Sequence, residues 1–165
     1  MGLPERVLIA ESLLRVTENV FTGRSHDQHE DVLYWAGCDL GGTWVLTTCI
    51  RPGATTTEGS FRTSAADNAR VVAYVAKHRL SLLAQVHTHP DHRVGHSHGD
   101  DLGAFMRFEG YLSFVVPYYG SHGILPFSAC GVHQSQGQQF RRLRVREVET
   151  LFEVLPIGVD YREQR

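Results

Sequence analysis

The sequence predicts a mixed α/β (α+β) domain in which one mixed sheet is flanked by two or three helices. Three observations predict it. β-rich runs and helical spacings are interleaved, with hairpin strands first and then helix, strand, helix and strands. A length of 165 residues suits a single domain spanning 1–165, and lets such a chain bury roughly 68–70% of its unfolded surface. A hydrophobic content of 42% against 21% charged residues is the balance of an ordinary globular chain.

The elements follow in order. Residues 6–10 form a short β-like run, and 11–21 carry helical spacing through Leu13, Leu14, Val16 and Val20. A polar stretch, 22–29, leads to strands over 31–37 and 43–50, with Gly41 and Gly42 suited to the hairpin turn between them. Residues 51–63 are rich in Gly and Thr and read as a mobile loop. The best helix is 64–80, with Ser64 as N-cap, Asp67 three residues on, and a stripe of Val71, Val72 and Val75. Residues 81–86 form a buried strand. The polar, His-rich segment 91–98 is irregular, and helical spacing resumes over 99–108 through Leu102, Phe105 and Met106. Strands are expected at 112–117, 123–132 and 139–148.

Composition excludes several classes. A net charge of −2 gives no electrostatic case for nucleic acid or an anionic membrane. Apolar runs are too short to span a bilayer, and residues 1–7 lack the pattern of a signal peptide. Cys38, Cys49 and Cys130 are odd in number and widely spaced, which fits a reducing cytoplasm and small, partly buried side chains.

The chemistry lies between Val86 and Asp101. His87 and His89 stand at i and i+2 where a strand gives way to a loop, so both imidazoles can turn toward one metal. Asp100, in the first turn of the following helix, supplies a stiffly mounted third ligand favoured by the helix dipole. Three protein ligands leave a fourth position for water, the open geometry of a catalytic zinc site. Zinc lowers the pKa of such a water to about 7. A general base and an oxyanion donor would complete a hydrolase.

His87-Thr88-His89-Pro90, six residues, then Ser97-His98-Gly99-Asp100 matches every fixed position of the His-x-His-Pro…Ser-x-x-Asp pattern of the JAB/MPN (JAMM) metalloproteases, and the chain resembles that family. Upstream, Glu30 and Gly37 keep the family's Glu and final Gly, while Leu33 replaces its middle Gly. The resemblance implies a cytidine-deaminase-like mixed sheet and one Zn2+ per chain on His87, His89 and Asp100. It also implies Glu30 as general base and Ser97 as oxyanion donor. The substrate implied is a ubiquitin-like protein, or its conjugate, cut after its C-terminus. The compact chain looks most like the stand-alone JAB isopeptidases of CBASS and Bil-type antiphage operons, with sulfur-carrier maturation as a further setting. Residues from Glu147 onward carry no family mark.

Rival readings remain at this level. His87-Thr-His89-Pro-Asp91-His92 also reads as His-x-His-x-Asp-His, the metallo-β-lactamase fingerprint, with Asp91 and His92 on a second zinc. A catalytically silent scaffold would keep the fold and lose ligands. Asp101 competes with Asp100, and Glu11 and Glu58 compete with Glu30. His92, His96 and His98 read as solvated loop residues, and Tyr118 and Tyr119 as packing residues. The oligomeric state is open.

Overall fold

The computed structural model of the protein describes residues 2–24, 27–137 and 139–156. Strand β1 (Arg6–Ala10) runs straight into helix α1 (Glu11–Arg24). Strands β2 (Val32–Asp39) and β3 (Thr43–Ile50) form a hairpin. At its turn Gly41 and Gly42 take φ of 71° and 95°, left-handed values that suit glycine. A second hairpin, β4 (Ala54–Thr57) and β5 (Ser60–Thr63), precedes α2 (Ala65–Lys77) and β6 (Ser81–Thr88). The remaining described elements are α3 (His98–Gly103), β7 (Leu112–Val116), β8 (Gly131–Ser135), β9 (Phe140–Arg142), α4 (Val145–Leu151) and β10 (Phe152–Leu155).

Eight strands form one mixed sheet in the order β10-β1-β3-β2-β6-β7-β8-β9, while β4 and β5 make a separate two-stranded sheet. β1 is parallel to both β3 and β10, and β6 is parallel to β7. β2 is central and buried on both faces, as its unbroken run Val-Leu-Tyr-Trp-Ala-Gly requires. Leu33 and Trp35 enter one core layer with Leu13, Leu14 and Phe21 of α1 and Val148 of α4. Val32 and Tyr34 enter the other with Val71 and Val75 of α2. α1 and α2 thus each cover one sheet face with an i, i+4 stripe.

Several expectations change. The α1 stripe is Leu13, Leu14, Thr17 and Phe21, and Val16 is exposed. Thr17 belongs there because its Oγ1 accepts the Trp35 indole N–H at 2.9 Å, so a hydroxyl completes an apolar face. Val72 likewise points outward, leaving Val71 and Val75. Ser64 does cap α2, its side chain accepting the Asp67 N–H at 3.1 Å. Residues 51–63 are not a loop. Alternating threonines suit β structure, and Ala54–Thr57 pairs antiparallel with Ser60–Thr63. α3 stops at Gly103 rather than continuing to 108. Phe105 and Met106 leave the helix to pack on the α2-side core. The strand expected at 123–132 begins only at Gly131, and that expected at 139–148 stops at Arg142 before α4. The described residues therefore hold four α-helices, and β10 shows that residues beyond 147 contribute to the sheet. Its Phe152 ring lies 5.3 Å from Phe114 and 5.4 Å from Phe127. Among the described residues no helix is long and apolar enough to cross a membrane.

Cys38 is exposed, Cys49 half-buried and Cys130 buried, and all three are free thiols. Burial pushes the Cys130 thiol up to about 12, and its Sγ faces the Ile124 carbonyl inside the core.

Candidate metal centre

Strand β6 places the first two candidate ligands. Ala84 and Val86 point into the α1-side core, so the pleat turns His87 to the other face. His87 is wholly buried and lies beside Phe61 of β5, ring to ring at 5.3 Å. His89 sits just past the strand end, where its N–H donates to the Val116 carbonyl at 2.8 Å. Its Nδ1 lies 2.8 Å from the Arg93 carbonyl oxygen. A carbonyl only accepts, so Nδ1 carries the proton and Nε2 faces the site with its lone pair.

Helix α3 brings the third candidate ligand. Ser97 caps it, its Oγ accepting the Asp100 N–H at 3.1 Å, while Asp100 Oδ2 accepts the Ser97 N–H at 2.6 Å. This is a capping box, so the Ser-x-x-Asp spacing has a folding role as well as a chemical one. It aims Asp100 at the histidines. Oδ1 lies 3.4 Å from His87 Nε2, and Oδ2 lies 3.3 Å from His89 Nε2. The donor atoms of His87, His89 and Asp100 all fall within 4.8 Å of one another. Burial works most strongly against the Asp100 carboxylate. The two imidazoles and the Ser97 N–H outweigh it and hold its carboxyl well below the usual carboxylate range.

His87 tests whether this group fits a metal. Both of its ring nitrogens are buried without a hydrogen-bond partner, and Nε2 lies 3.4 Å from Asp100 Oδ1. An orphaned imidazole nitrogen at the apex of a His-His-Asp triangle is costly unless a cation occupies the centre. Two imidazoles and one carboxylate are a donor set suited to zinc.

Glu30 faces the triangle from the neighbouring strand. β2 and β6 pair antiparallel with Val32 opposite His87, which carries Glu30 toward His89. Thr88, the middle residue of His-x-His, fixes that register. Its N–H donates to the Asp31 carbonyl at 3.1 Å, and its Oγ1 accepts the Asp31 N–H at 2.9 Å. Asp31 is further tied to Arg51 at 2.7 Å. The Glu30 N–H donates to the Thr57 carbonyl of the small hairpin at 2.8 Å. Glu30 is 5% exposed. Burial, the largest influence, pushes its carboxyl up to about 7, with His89 opposing and Asp100 adding. A bound dication would draw it back down.

Glu30, His89 and Asp100 line a cleft of about 820 Å³ that also includes Ser97 and β5. The Ser97 hydroxyl is exposed there, and its proton is not committed by the capping bond.

The competing candidates lie in different surroundings. Glu11 lies on α1 and accepts from Arg15. Glu58 is exposed at the hairpin tip. Asp91 is occupied by Arg93, whose Nε and Nη2 both reach its Oδ2, and His92 is exposed, so the second-zinc pairing does not assemble. Asp101 turns away from the triangle to His96. His92 and His98 are exposed as expected. His96 is not: its side chain is only 6% exposed. The sequence shows no period in this loop from which its burial could be read. Tyr118 is exposed and Tyr119 half-buried, so neither is a core packing residue. Both hold left-handed φ, 55° and 53°. The Tyr119 N–H donates to the His89 carbonyl and its hydroxyl to the Glu58 carbonyl, each at about 2.8–2.9 Å, tying the hairpin to the metal-site loop.

Gly131 permits the loop to dock. A Cβ there would stand 1.7 Å from the Val94 carbonyl oxygen and 2.7 Å from its carbon. Gly131→Ala must therefore push the loop, and with it His89 and Asp100, off the sheet. Urea unfolding is expected to show a loss of about 1–3 kcal/mol, together with weaker zinc binding in a chelator competition. Wild-type values for both would refute this packing.

No protein-family model matches the chain. It is 33% identical over 99 residues to a curated protein of Sinorhizobium fredii described as a probable metalloprotease. That match covers 55% of this chain and 58% of the relative, so the chain spans less than two thirds of that protein's length. Among solved structures, a protein of Desulfitobacterium hafniense superposes with a TM-score of 0.64 at 11% identity, over 96% of this chain and 98% of that one. A Salinibacter ruber protein gives 0.54 at 16% identity, over 82% and 88%. A JAB1/MPN domain protein of Archaeoglobus fulgidus gives 0.50 at 13% identity, over 91% and 98%. At these identities the likeness is one of fold, and the fold is the JAB/MPN domain.

Proposed function

We propose that this chain is a metal-dependent peptidase of the JAB/MPN type, with zinc on His87, His89 and Asp100. The observation that carries it is the buried His-His-Asp triangle with an orphaned His87 Nε2 and Glu30 facing it. The Sinorhizobium relative, a probable metalloprotease, supports the same class. When bound, the metal supplies Lewis acidity that makes water a nucleophile near neutral pH. The chain's own groups do the rest. Glu30, desolvated and raised toward neutrality, takes the proton of the attacking water and returns it to the leaving amine. The Ser97 hydroxyl donates to the carbonyl oxygen as charge develops on it. Its N–H is already used by Asp100, so the side chain is the donor.

The finer reading is an isopeptidase acting after the C-terminus of a ubiquitin-like protein or its conjugate. A flexible tail must be held extended to be cut, and strand edges do this by adding a strand. Among the described residues β5 has a single strand neighbour, β4, and it lines the cleft. We place the reaction in the cytoplasm, with an antiphage conjugation system as the setting; three free thiols fit a reducing compartment.

The test joins two measurements on the purified protein: zinc per chain, and cleavage of a ubiquitin-like protein linked to a lysine side chain or to a trailing peptide. One zinc with cleavage at the C-terminal junction is expected. Zinc-loaded protein inert toward both substrates would refute the isopeptidase reading, and a zinc-free active protein would refute the metal.

Two expectations arise here. Ser97→Ala should lower kcat by roughly 10²–10³-fold with little change in substrate affinity. It should also cost about 0.5–2 kcal/mol of stability through the lost cap. Full turnover in this variant would remove Ser97 from the mechanism. Residues 54–63 should gain hydrogen-exchange protection when substrate binds, since β5 would acquire a second neighbour. Unchanged exchange there would place the tail elsewhere.

A further inference from the structure

A side-chain cluster beside the metal-binding group has no part in the steps above. His96 Nδ1 lies 2.8 Å from Asp101 Oδ1, and its Nε2 lies 2.8 Å from Ser113 Oγ. A carboxylate only accepts. Nδ1 therefore donates to Asp101, and Nε2 accepts the Ser113 O–H. The ring stacks on His133, centroids 4.1 Å apart at 25°, and packs against Phe140 at 4.8 Å. His87 lies 5.9 Å away.

The sequence of bonds Ser113–His96–Asp101 has the pattern of a nucleophilic triad. It cannot act as one. Ser113 is fully buried in β7, hydrogen-bonded between β6 and β8, where no carbonyl substrate reaches it.

Its placement indicates a mechanical task instead. His96 directly precedes Ser97, and Asp101 directly follows Asp100, so the pair brackets the residues that cap α3 and face the cleft. α3 has six residues, too few to hold itself in place by its own backbone bonds. Ser113 belongs to β7, the immediate neighbour of the strand that carries His87. The Arg107 guanidinium, which donates to the Asp101 carbonyl, ties the same turn from the C-terminal side.

We propose that His96 and Asp101 are positioning residues: the Asp101–His96–Ser113 brace holds the first turn of α3 against β7, and so sets Asp100 at ligating distance from His87 and His89. The two adjacent carboxylates have divided work, Asp100 facing the metal position and Asp101 holding the brace. This inference rests on the reading of His87, His89 and Asp100 as metal ligands.

The test measures zinc affinity by chelator competition and records the visible spectrum of the Co2+-substituted protein. His96→Phe keeps the ring's bulk and stacking and removes both hydrogen bonds. It is expected to weaken zinc by roughly 10–100-fold, as loss of supporting residues around metal ligands does, and to shift the cobalt bands. Asp101→Ala should do the same. Asp101→Asn retains an oxygen that accepts from Nδ1 and should stay within a few fold of wild type. The double variant His96→Phe with Asp101→Ala should be no weaker than His96→Phe, because the His96–Asp101 bond that Asp101→Ala removes is already lost in His96→Phe. A general loss of packing would give neither the Asn rescue nor that non-additivity. Wild-type zinc affinity and cobalt bands in His96→Phe, or Asp101→Asn as weak as Asp101→Ala, would overturn the proposal. If His96→Phe fails to fold, the Asp101 pair decides alone. A wild-type protein that binds neither zinc nor cobalt would instead refute the metal-ligand reading.

Discussion

Glu30→Gln is expected to give a folded, zinc-loaded protein that binds substrate and cleaves it roughly 10²–10⁴-fold more slowly than wild type. The amide keeps the shape of the side chain and removes the basic oxygen. The segment leading into β2, which carries residue 30, is held by Thr88 through Asp31 and by Thr57 through the Glu30 N–H, and none of these bonds uses the carboxylate. The fold should therefore survive. A neutral amide in this buried place also avoids desolvating a charge, so thermal stability should be equal or slightly higher. Glu11→Gln and Glu58→Gln should leave turnover unchanged, since Glu11 lies on α1 and Glu58 is exposed at the hairpin tip. Steady-state kinetics with a pull-down of uncleaved substrate checks all three. Wild-type turnover in Glu30→Gln would mean that another group moves the proton.

Asp100→Ala is expected to lose the metal. The effect should exceed the roughly 10–100-fold typical of residues that merely support ligands, because a donor atom is removed. The same change leaves the Ser97 N–H without its acceptor and halves the capping box. Asp100→Asn separates the two roles. The amide oxygen can still accept the Ser97 N–H and preserve α3, but it is a much poorer zinc ligand. Metal analysis with a thermal melt should show both variants depleted of zinc and only Asp100→Ala clearly destabilised. Stoichiometric zinc in Asp100→Ala would overturn the ligand assignment.

The linear pattern was most informative where chemistry and local geometry coincide. His87, His89, Ser97 and Asp100 were legible because fixed offsets put two imidazoles at a strand end and a capped carboxylate at a helix start. Those offsets are consequences of the strand pleat and of the capping box, both local. Glu30 was less legible. Its relation to the metal group depends on the antiparallel register of β2 with β6, set by residues more than fifty positions apart.

The mixed architecture, the hairpin and main helix, and the His-x-His-Pro…Ser-x-x-Asp motif were legible in the linear chain, since each depends on neighbours a few residues apart. Only the tertiary structure decided the rest. Thr-rich 54–63 became a hairpin once it could pair with itself beside the cleft. α3 ended at Gly103, and Phe105 and Met106, beyond its end, packed against the α2-side core. Residues 152–155 became an edge strand because β1 offered an open partner. His96 passed from apparent loop residue to buried brace because Ser113, seventeen positions away, and the stacked His133 meet it in space. Burial and pairing across such separations leave no period in the chain. They exist only where the folded sheet brings the partners together.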